Sequence, residues 1–518
     1  MQLRRVAVLG GGPGGLYTAR LVKLVFPRCE VVVHEQGPAD ATFGFGVGLA
    51  AGTQRNLAAA DPDTLHDIVS AGHPHDMTMQ VGGATVRVRN DRLVGIARTE
   101  LLAILQRHAE KAGVVLEHGS RRTAGELDAD LVVAADGVNS ATRREGPFGE
   151  DLEVGRGLYL WAGTEFPLPD AVFSPVDTAH GTFVTHAYPY SGGRSTFLVE
   201  TDEATWRRAG FDATTEATEA GPLDGSDETS LRYLEEVFAD QLQGRSLIGN
   251  RTRWLRFRTV RCARWTAGRT ALLGDAAHTA HFSIGSGTKL AMEDAIGLVE
   301  ALGGEPDLPS AFARYEAVRR PAVERLQELA RRSQLWWESF PSRTHLPVSR
   351  LMVAYMTRAG NVPLDRFAET APDVVAGAME AYVAESGHPA AAGRTVADRA
   401  LAQPLHHELT DAARRPVSPG DPPGLVVVGD VLADPWDADG DAVVDRARAA
   451  RDAGAPGFRF TGPGDRPSVL TRLDLAERVR LEVGGPVVVE APAGLREDLA
   501  AGLVAGRTDL VTLLEEAR

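Results

Sequence analysis

Val6-Ala7-Val8-Leu9 runs into Gly10-Gly11-Gly12-Pro13-Gly14-Gly15, a helical stretch follows from Leu16 to Phe26, and Val31-Val32-Val33 then leads to Glu35. Two short apolar runs separated by a glycine-rich turn and a helix spell a β-α-β unit. Gly10, Gly12 and Gly15, with Pro13 and Gly14 between them, let the backbone approach a pyrophosphate at the positive end of a helix, where side chains would block it. Glu35 ends the second strand about 20 residues on, the spacing at which a carboxylate reaches an adenosine ribose. The unit predicts a bound dinucleotide without distinguishing FAD from NAD.

Working outward, a helix is predicted from Thr99, as N-cap, to about Ala112, and Leu131-Val132-Val133-Ala134-Ala135 reads as another buried parallel strand. Between about 155 and 260 the pattern changes. Thr182 to Tyr188 and Ser195 to Glu200 are rich in β-branched and aromatic residues around Ser191-Gly192-Gly193, which predicts an antiparallel sheet. The strand Thr270 to Leu273, the amphipathic helix Leu290 to Leu302 and helical sequence to about Arg332 return to α/β character. After about 395, Leu425 to Val428, Phe458 to Phe460, Val487 to Val489 and Leu510 to Thr512 alternate with helical stretches as consecutive β-α units, too few for a full barrel. The fold class is therefore α/β, a Rossmann-like domain, resembling the glutathione reductase type, interrupted by an antiparallel-sheet domain expected to hold the substrate. The expected segments are 1–154, 155–260, 261–394 and 395–518, the last a partial β/α module.

Composition bounds the function. The chain has 518 residues, 43% apolar and 24% charged, which supports two or three domains. A formal charge of −15 with no long basic run repels polyphosphate and disfavours nucleic acid. Cys29 and Cys262 are the only cysteines, too few for a disulfide framework or a four-thiolate metal site. They read as packing residues of a cytoplasmic protein, and no metal is expected. The glycines end the apolar run from Val6 far short of a membrane span, so no membrane partner is expected. Oligomeric state stays open, with a homodimer allowed.

Three further segments carry chemistry. Leu272-Leu273-Gly274-Asp275-Ala276-Ala277-His278, with Gly285-Ser286-Gly287-Thr288-Lys289 and Glu293-Asp294-Ala295, resembles the segment of FAD-dependent aromatic hydroxylases that holds the ribityl chain and pyrimidine edge of FAD. Asp275 at a strand end can accept bonds from ribityl hydroxyls. The Gly285 to Gly287 turn, with Thr288 behind it, offers N–H groups and a helix start to the flavin O2 edge. The bland alternative makes Asp275 a helix cap and Lys289 a solvated charge. Asp136-Gly137, followed by Val138-Asn139-Ser140 and Arg143, resembles the family's segment that contacts both flavin and nicotinamide, and Arg98 stands where the family places an arginine near the flavin phosphates.

The resemblance narrows to the salicylyl-CoA 5-hydroxylase and aminobenzoyl-CoA monooxygenase branch through Thr42-Phe43-Gly44-Phe45-Gly46-Val47-Gly48, His186-Ala187-Tyr188, Arg194 to Phe197, Glu200-Thr201, Thr205 to Gly210 and Gly274 through Ala295. It spans about residues 5 to 365. His281-Phe282 replaces the prolines usual in flavin hydroxylases, and Ser286 and Lys289 replace Gln and Asn. The tail from Leu470 is similar to the last units of an old-yellow-enzyme reductase barrel, here truncated. What the resemblance implies is FAD reduced by NADH or NADPH, a flavin C4a-hydroperoxide formed with O2, and transfer of its distal oxygen to an aromatic ring carried as a CoA thioester. The alternative is a specialised-metabolism oxygenase acting on a related aryl or tropone-like thioester or free acid. Strand alternation puts His186 and Tyr188 on one face. The candidates are Phe45, Tyr188 and Phe282 for substrate, and His186 and His281 for catalysis, against a paired core role for each histidine.

Overall fold

The computed structural model describes residues 1–38, 44–90, 93–219, 225–285, 287–407 and 410–515, so Thr42, Phe43 and Ser286 lie outside the described residues. It divides into two compact units, Met1–Met77 with Asn90–Gln334, and Thr78–Arg89 with Leu335–Arg518.

In the first unit the β-α-β reading becomes strand Arg5–Leu9, helix Pro13–Val25 and strand Glu30–Glu35. The sheet runs in the order Val115–His118, Glu30–Glu35, Arg5–Leu9, Leu131–Ala134 and Thr270–Leu272, all parallel, with Thr266–Ala267 antiparallel at the edge. Every residue of Leu131–Ala134 is buried, as a strand covered on both faces requires. Val6, Val8, Val31 and Val33 share one core with Leu16, Tyr17 and Val22 of the first helix and with Leu290, Leu298 and Leu302 of helix Gly287–Gly304. Cys29 and Cys262 are buried in that core as free thiols.

One local expectation changes. The helix after strand Val94–Ala97 starts at Arg98 and has no side-chain cap, so Thr99 lies inside its first turn. The chain passes straight from strand to helix because the Arg98 N–H donates to the Phe45 carbonyl at 2.8 Å, which satisfies a first-turn donor without a capping side chain.

The antiparallel sheet is built on Glu150–Thr164, Ala171–Thr178, Gly181–Ser191 and Arg194–Thr201, with Trp254–Cys262 along the first strand. The register aligns Leu160 with Val199 and Thr185, and Ala162 with Phe197 and Ala187. These residues point to one face. That face packs on Phe211, Leu231, Leu234 and Phe238 of the covering helices. The period of two leaves Tyr159, Trp161, His186, Tyr188, Leu198 and Glu200 on the opposite face.

The second unit carries parallel strands Val426–Val428, Phe458–Phe460, Val487–Pro492 and Leu510–Leu514 in sequential order, joined by helices Ala438–Asp452, Arg466–Glu482 and Arg496–Val504. Val427, Arg459, Val488 and Leu510 align across one face. The chain ahead of the sheet covers that face: Leu405, Ala412, Val417 and Leu425 pack on Val488 and Leu510. Helices Val348–Thr357, Leu364–Thr370 and Val396–Ala402 pack against Arg496–Val504, so the unit begins near 335 rather than 395.

A fully buried ion pair stands inside this unit. Arg343 donates through Nε and Nη2 to the two oxygens of Glu477, both at 2.7 Å. Trp336 and Trp436 flank the guanidinium at 5.2 and 5.5 Å. Removing one partner of such a pair strands a buried charge. Arg343→Ala is therefore expected to cost about 3 kcal/mol, the low end for a broken buried pair because Arg507 stays 3.7 Å from Glu477. Chemical denaturation of the variant checks this, and a loss below about 1 kcal/mol would refute it.

Candidate active site

The glycine loop divides into packed and open positions. Gly10 has φ +100, and a Cβ there would lie 2.3 Å from the Ala135 carbonyl oxygen. A Cβ on Gly15 would sit 2.1 Å from the Gly10 carbonyl oxygen, and one on Gly14 2.6 Å from Leu273. Gly12, in contrast, is extended and has nothing within 4 Å of its Cβ direction. The helix begins there with Pro13 at its first turn and no capping side chain. Open backbone at an uncapped helix start is the arrangement that receives a phosphate. Glu35 closes the loop from the side: its Oε2 accepts from Gly11 N–H and its Oε1 from Gly37 N–H, each at 2.7 Å. One N–H per oxygen leaves each free to accept a ribose hydroxyl as well.

The second segment is held by one carboxylate. Asp294, fully buried on helix Gly287–Gly304, accepts from His278 Nε2 at 2.7 Å, Arg319 Nε at 2.9 Å and the Gly274 N–H at 3.2 Å. Burial opposes its ionisation, but His278 and Arg319 outweigh it and hold the carboxyl below its ordinary range. Gly274 has φ +60, and a Cβ on it would meet Ala291 at 2.8 Å, so the turn and the helix are in direct contact. Asp275 follows, presented outward. Its side chain is exposed, yet surrounding protein pushes its carboxyl up, with Arg98 and His278 opposing; an exposed group so crowded lines a recess. Arg98 makes no side-chain hydrogen bond or ion pair among the described residues, so a half-buried cation is left beside the loop. Asp136 accepts through Oδ2 from Thr142, while its buried Oδ1 has no partner among the described residues. Gly137 has φ +76, and both Gly285 and Gly287 open onto free space beside Thr288.

The recess continues onto the free face of the antiparallel sheet. Gly46 links the two, its N–H donating to Thr196 Oγ1 at 3.0 Å and its carbonyl accepting from Tyr188 Oη at 2.8 Å. Burial pushes the Tyr188 phenol up to about 12, and the charge of Arg98 acts on it as well as on Asp275. Phe45 packs on Gly163, where a Cβ would lie 2.4 Å from its ring. Phe282 swings in from the turn after His278 and centres an aromatic cluster, 4.9 Å from Tyr159, 5.8 Å from Trp161, 5.9 Å from Phe257 and 6.4 Å from His186. His186 meets Glu200 at 3.3 Å, and His281 meets Ser283 Oγ at 2.8 Å, so neither histidine is a bare imidazole.

The residues predicted from sequence thus fall into two groups that meet at Arg98 and Gly46. Gly10 to Gly15, Glu35, Asp136, Gly137, Gly274, Asp275, Gly285, Gly287 and Thr288 belong to the parallel-sheet side; His186, His281, Phe45, Tyr188 and Phe282 belong to the antiparallel-sheet side. Sequence reading missed Tyr159, Trp161 and Glu200. The signal was the alternation Leu158, Leu160, Ala162 against Tyr159, Trp161, Gly163, which separates core from free face.

Comparison with known proteins agrees with this geometry. A family profile described as an FAD binding domain matches residues 86–330. A salicyloyl-CoA 5-hydroxylase of Streptomyces is 45% identical over 342 residues, covering 65% of this chain and 66% of that protein, so the match takes in just under two thirds of that relative's length. A 3-hydroxy-4-methyl-anthranilyl-[aryl-carrier protein] 5-monooxygenase of Streptosporangium sibiricum is 38% identical, covering 69% of this chain and 95% of that protein. The crystal structure of a 2-methyl-3-hydroxypyridine-5-carboxylic acid oxygenase superposes with a TM-score of 0.53 at 22% identity, covering 64% and 90%, a likeness of fold. Among the described residues no helix is long and apolar enough to cross a membrane.

The glycine geometry yields a paired test. Gly12→Ala should leave the apoprotein's unfolding free energy within about 0.5 kcal/mol of the parent, because the added methyl enters open space. Gly15→Ala should lower it by more than about 1 kcal/mol, because the methyl meets a carbonyl oxygen. Equal losses in the two variants would contradict the division of the loop.

Proposed function

Since this chain belongs to the FAD-dependent aromatic monooxygenases, we propose that it uses NADH or NADPH and O2 to hydroxylate the ring of an aromatic acyl-CoA thioester, as a salicylyl-CoA 5-hydroxylase does. The observation that carries the reading is the aromatic-lined sheet face around Phe282, which adjoins the nucleotide recess at Arg98 and Gly46. Two relatives named for aromatic thioesters, one on CoA and one on a carrier protein, support the thioester. The second of them favours a variant of the same reading in which the ring rides on a carrier protein.

The described residues fit FAD. The open Gly12 backbone and the lone cation of Arg98 suit the pyrophosphate, Glu35 the adenosine ribose, Asp275 the ribityl hydroxyls, Gly285, Gly287 and Thr288 the pyrimidine edge, and the orphaned Oδ1 of Asp136 a donor brought by flavin or nicotinamide. When bound, reduced FAD supplies the activation of O2 and the delivery of one oxygen atom to the ring. The protein's part is to orient the ring, keep water away and take up a proton. Phe45, Phe282 and Tyr188 do the first two. His186 or His281 accepts the ring-hydroxyl proton as oxygen enters para to it, which raises the electron density of the attacked carbon; such base assistance is typically worth 10²–10⁴-fold.

We further propose that the four-stranded C-terminal sheet holds no flavin. Its own chain covers the part of that face around Val488 and Leu510 that a barrel would turn inward, where Arg459 also bonds Glu490 at 2.7 Å and Thr512 at 3.2 Å.

The purified protein should therefore carry one noncovalent FAD per chain, released by acid, and no FMN. Glu35→Ala should weaken FAD retention by roughly 1.5–3 kcal/mol, the worth of hydrogen bonds to a charged group. Stoichiometric FMN, or flavin that survives denaturation, would overturn these statements. His186→Ala or His281→Ala should slow salicylyl-CoA hydroxylation and raise uncoupled peroxide release at unchanged FAD content. Wild-type rate and coupling in both would remove the two histidines from the proton path.

A further inference from the structure

Strand Glu150–Thr164 places Tyr159 and Trp161 two residues apart on the free face of the sheet, next to Phe282. Trp161 stands in the cross-strand row that runs through Leu198 to His186, and Tyr159 lies directly opposite Glu200. Both side chains carry a hydrogen-bond donor. The Trp161 indole N–H is shut away from water and meets no acceptor among the described residues. The core face offers a contrast: Trp254 donates its indole N–H to Ser230 Oγ at 2.8 Å. A buried donor without an acceptor costs about 1–3 kcal/mol, and such a group persists where a ligand completes it. The Tyr159 hydroxyl is held protonated by burial, its pKa pushed up to about 12, and Glu200 and Arg258 act on it through charge alone. It too remains a donor.

The next two strands of the sheet bring different chemistry to the same face. Glu200 stands 3.3 Å from His186, so they offer a carboxylate and an imidazole. A ligand ring held against Phe282 therefore meets donors from one strand and proton-accepting groups from the next two. An aromatic acid derivative with a hydroxyl beside its acyl group has the matching pair: a carbonyl oxygen that only accepts and a hydroxyl that can give up its proton.

We propose that the indole N–H of Trp161, assisted by the Tyr159 hydroxyl, is the subsite for the acyl carbonyl oxygen of the substrate, and that it selects aromatic acyl thioesters over ligands that lack that oxygen. This rests on the thioester reading above and adds the residues that recognise the carbonyl. Trp161 is a binding residue here and takes no part in oxygen transfer. Its loss changes affinity and ligand preference before it changes the chemistry.

The test uses the FAD-loaded protein and two probes, salicylyl-CoA and its thioether counterpart S-(2-hydroxybenzyl)-CoA, in which a methylene replaces the carbonyl. Binding is followed by perturbation of the flavin spectrum in the wild type, Trp161→Phe and Tyr159→Phe. Both substitutions keep a ring in the cluster and remove the donor. The wild type is expected to prefer the thioester by about tenfold, the worth of one hydrogen bond to a buried donor. Trp161→Phe should lose that preference through weaker thioester binding, with thioether binding unchanged and FAD content and melting temperature near normal. Tyr159→Phe should lose part of it. A wild type that binds both probes equally, or a Trp161→Phe variant that keeps the preference, overturns the subsite while leaving the thioester reading intact. A parallel fall for both probes in Trp161→Phe also overturns it, because it reports packing rather than recognition. A wild type that binds neither probe defeats the thioester reading and the subsite with it.

Discussion

A carboxylate with no solvent exposure, Asp294, is the point on which the nucleotide half of the molecule turns. An isolated charge could not remain ionised there, since the cost of removing it from water exceeds what its neighbours would return singly. Three donors from two segments converge on it: His278 and the backbone of Gly274 in the turn after strand Thr270–Leu272, and Arg319 of helix Leu308–Glu338. The convergence fixes the turn that presents Asp275, and it does so in the interior, where competing water is absent. Arg143 braces the same turn from the other side, donating to the Asp275 and Ala276 carbonyls at 3.2 and 3.0 Å.

The glycine loop then meets its neighbours by close approach of its own backbone, to a carbonyl at Gly10 and to a core side chain at Gly14. Gly10 passes the Ala135 carbonyl and Gly14 passes Leu273, so the loop after the first strand, the strand before Asp136 and the strand before Gly274 are locked in one plane of contact. Glycine is required at these crossings because each has a backbone or core atom where a methyl would stand. Gly12 has no such neighbour, and its lack of a side chain makes sense only through what approaches from outside the protein.

The antiparallel sheet supplies the other half by a simple device. With side chains alternating across the pleat, one set of positions forms a core with the covering helices and the other set lies on the opposite face. The aromatic groups of the free face gather around Phe282, a residue contributed by the nucleotide segment. In the C-terminal unit the same parity is used differently: Leu405, Ala412, Val417 and Leu425 pack on Val488 and Leu510 on one face of the parallel sheet, while Val427 of the edge strand stays exposed. Arg459 is paired to Glu490 within that sheet.

By itself the sequence determined the fold class and the nucleotide loop, because both rest on local rules: glycine spacing, apolar runs of strand length, and a carboxylate at a fixed remove along the chain. The β-α-β unit appears within a residue or two of where Val6, Pro13 and Glu35 put it. Strand alternation also carried the pairing of His186 with Tyr188 on one face. The tertiary structure alone decided which groups that face contains. Tyr159, Trp161 and Glu200 enter it through cross-strand register, and Phe282 through a turn anchored on a buried carboxylate; alternation within a strand marks the face a residue takes, but not the neighbours that register brings beside it. The start of the second unit near 335 was equally hidden, since helices ahead of 395 show an apolar stripe but not the surface they bury it against.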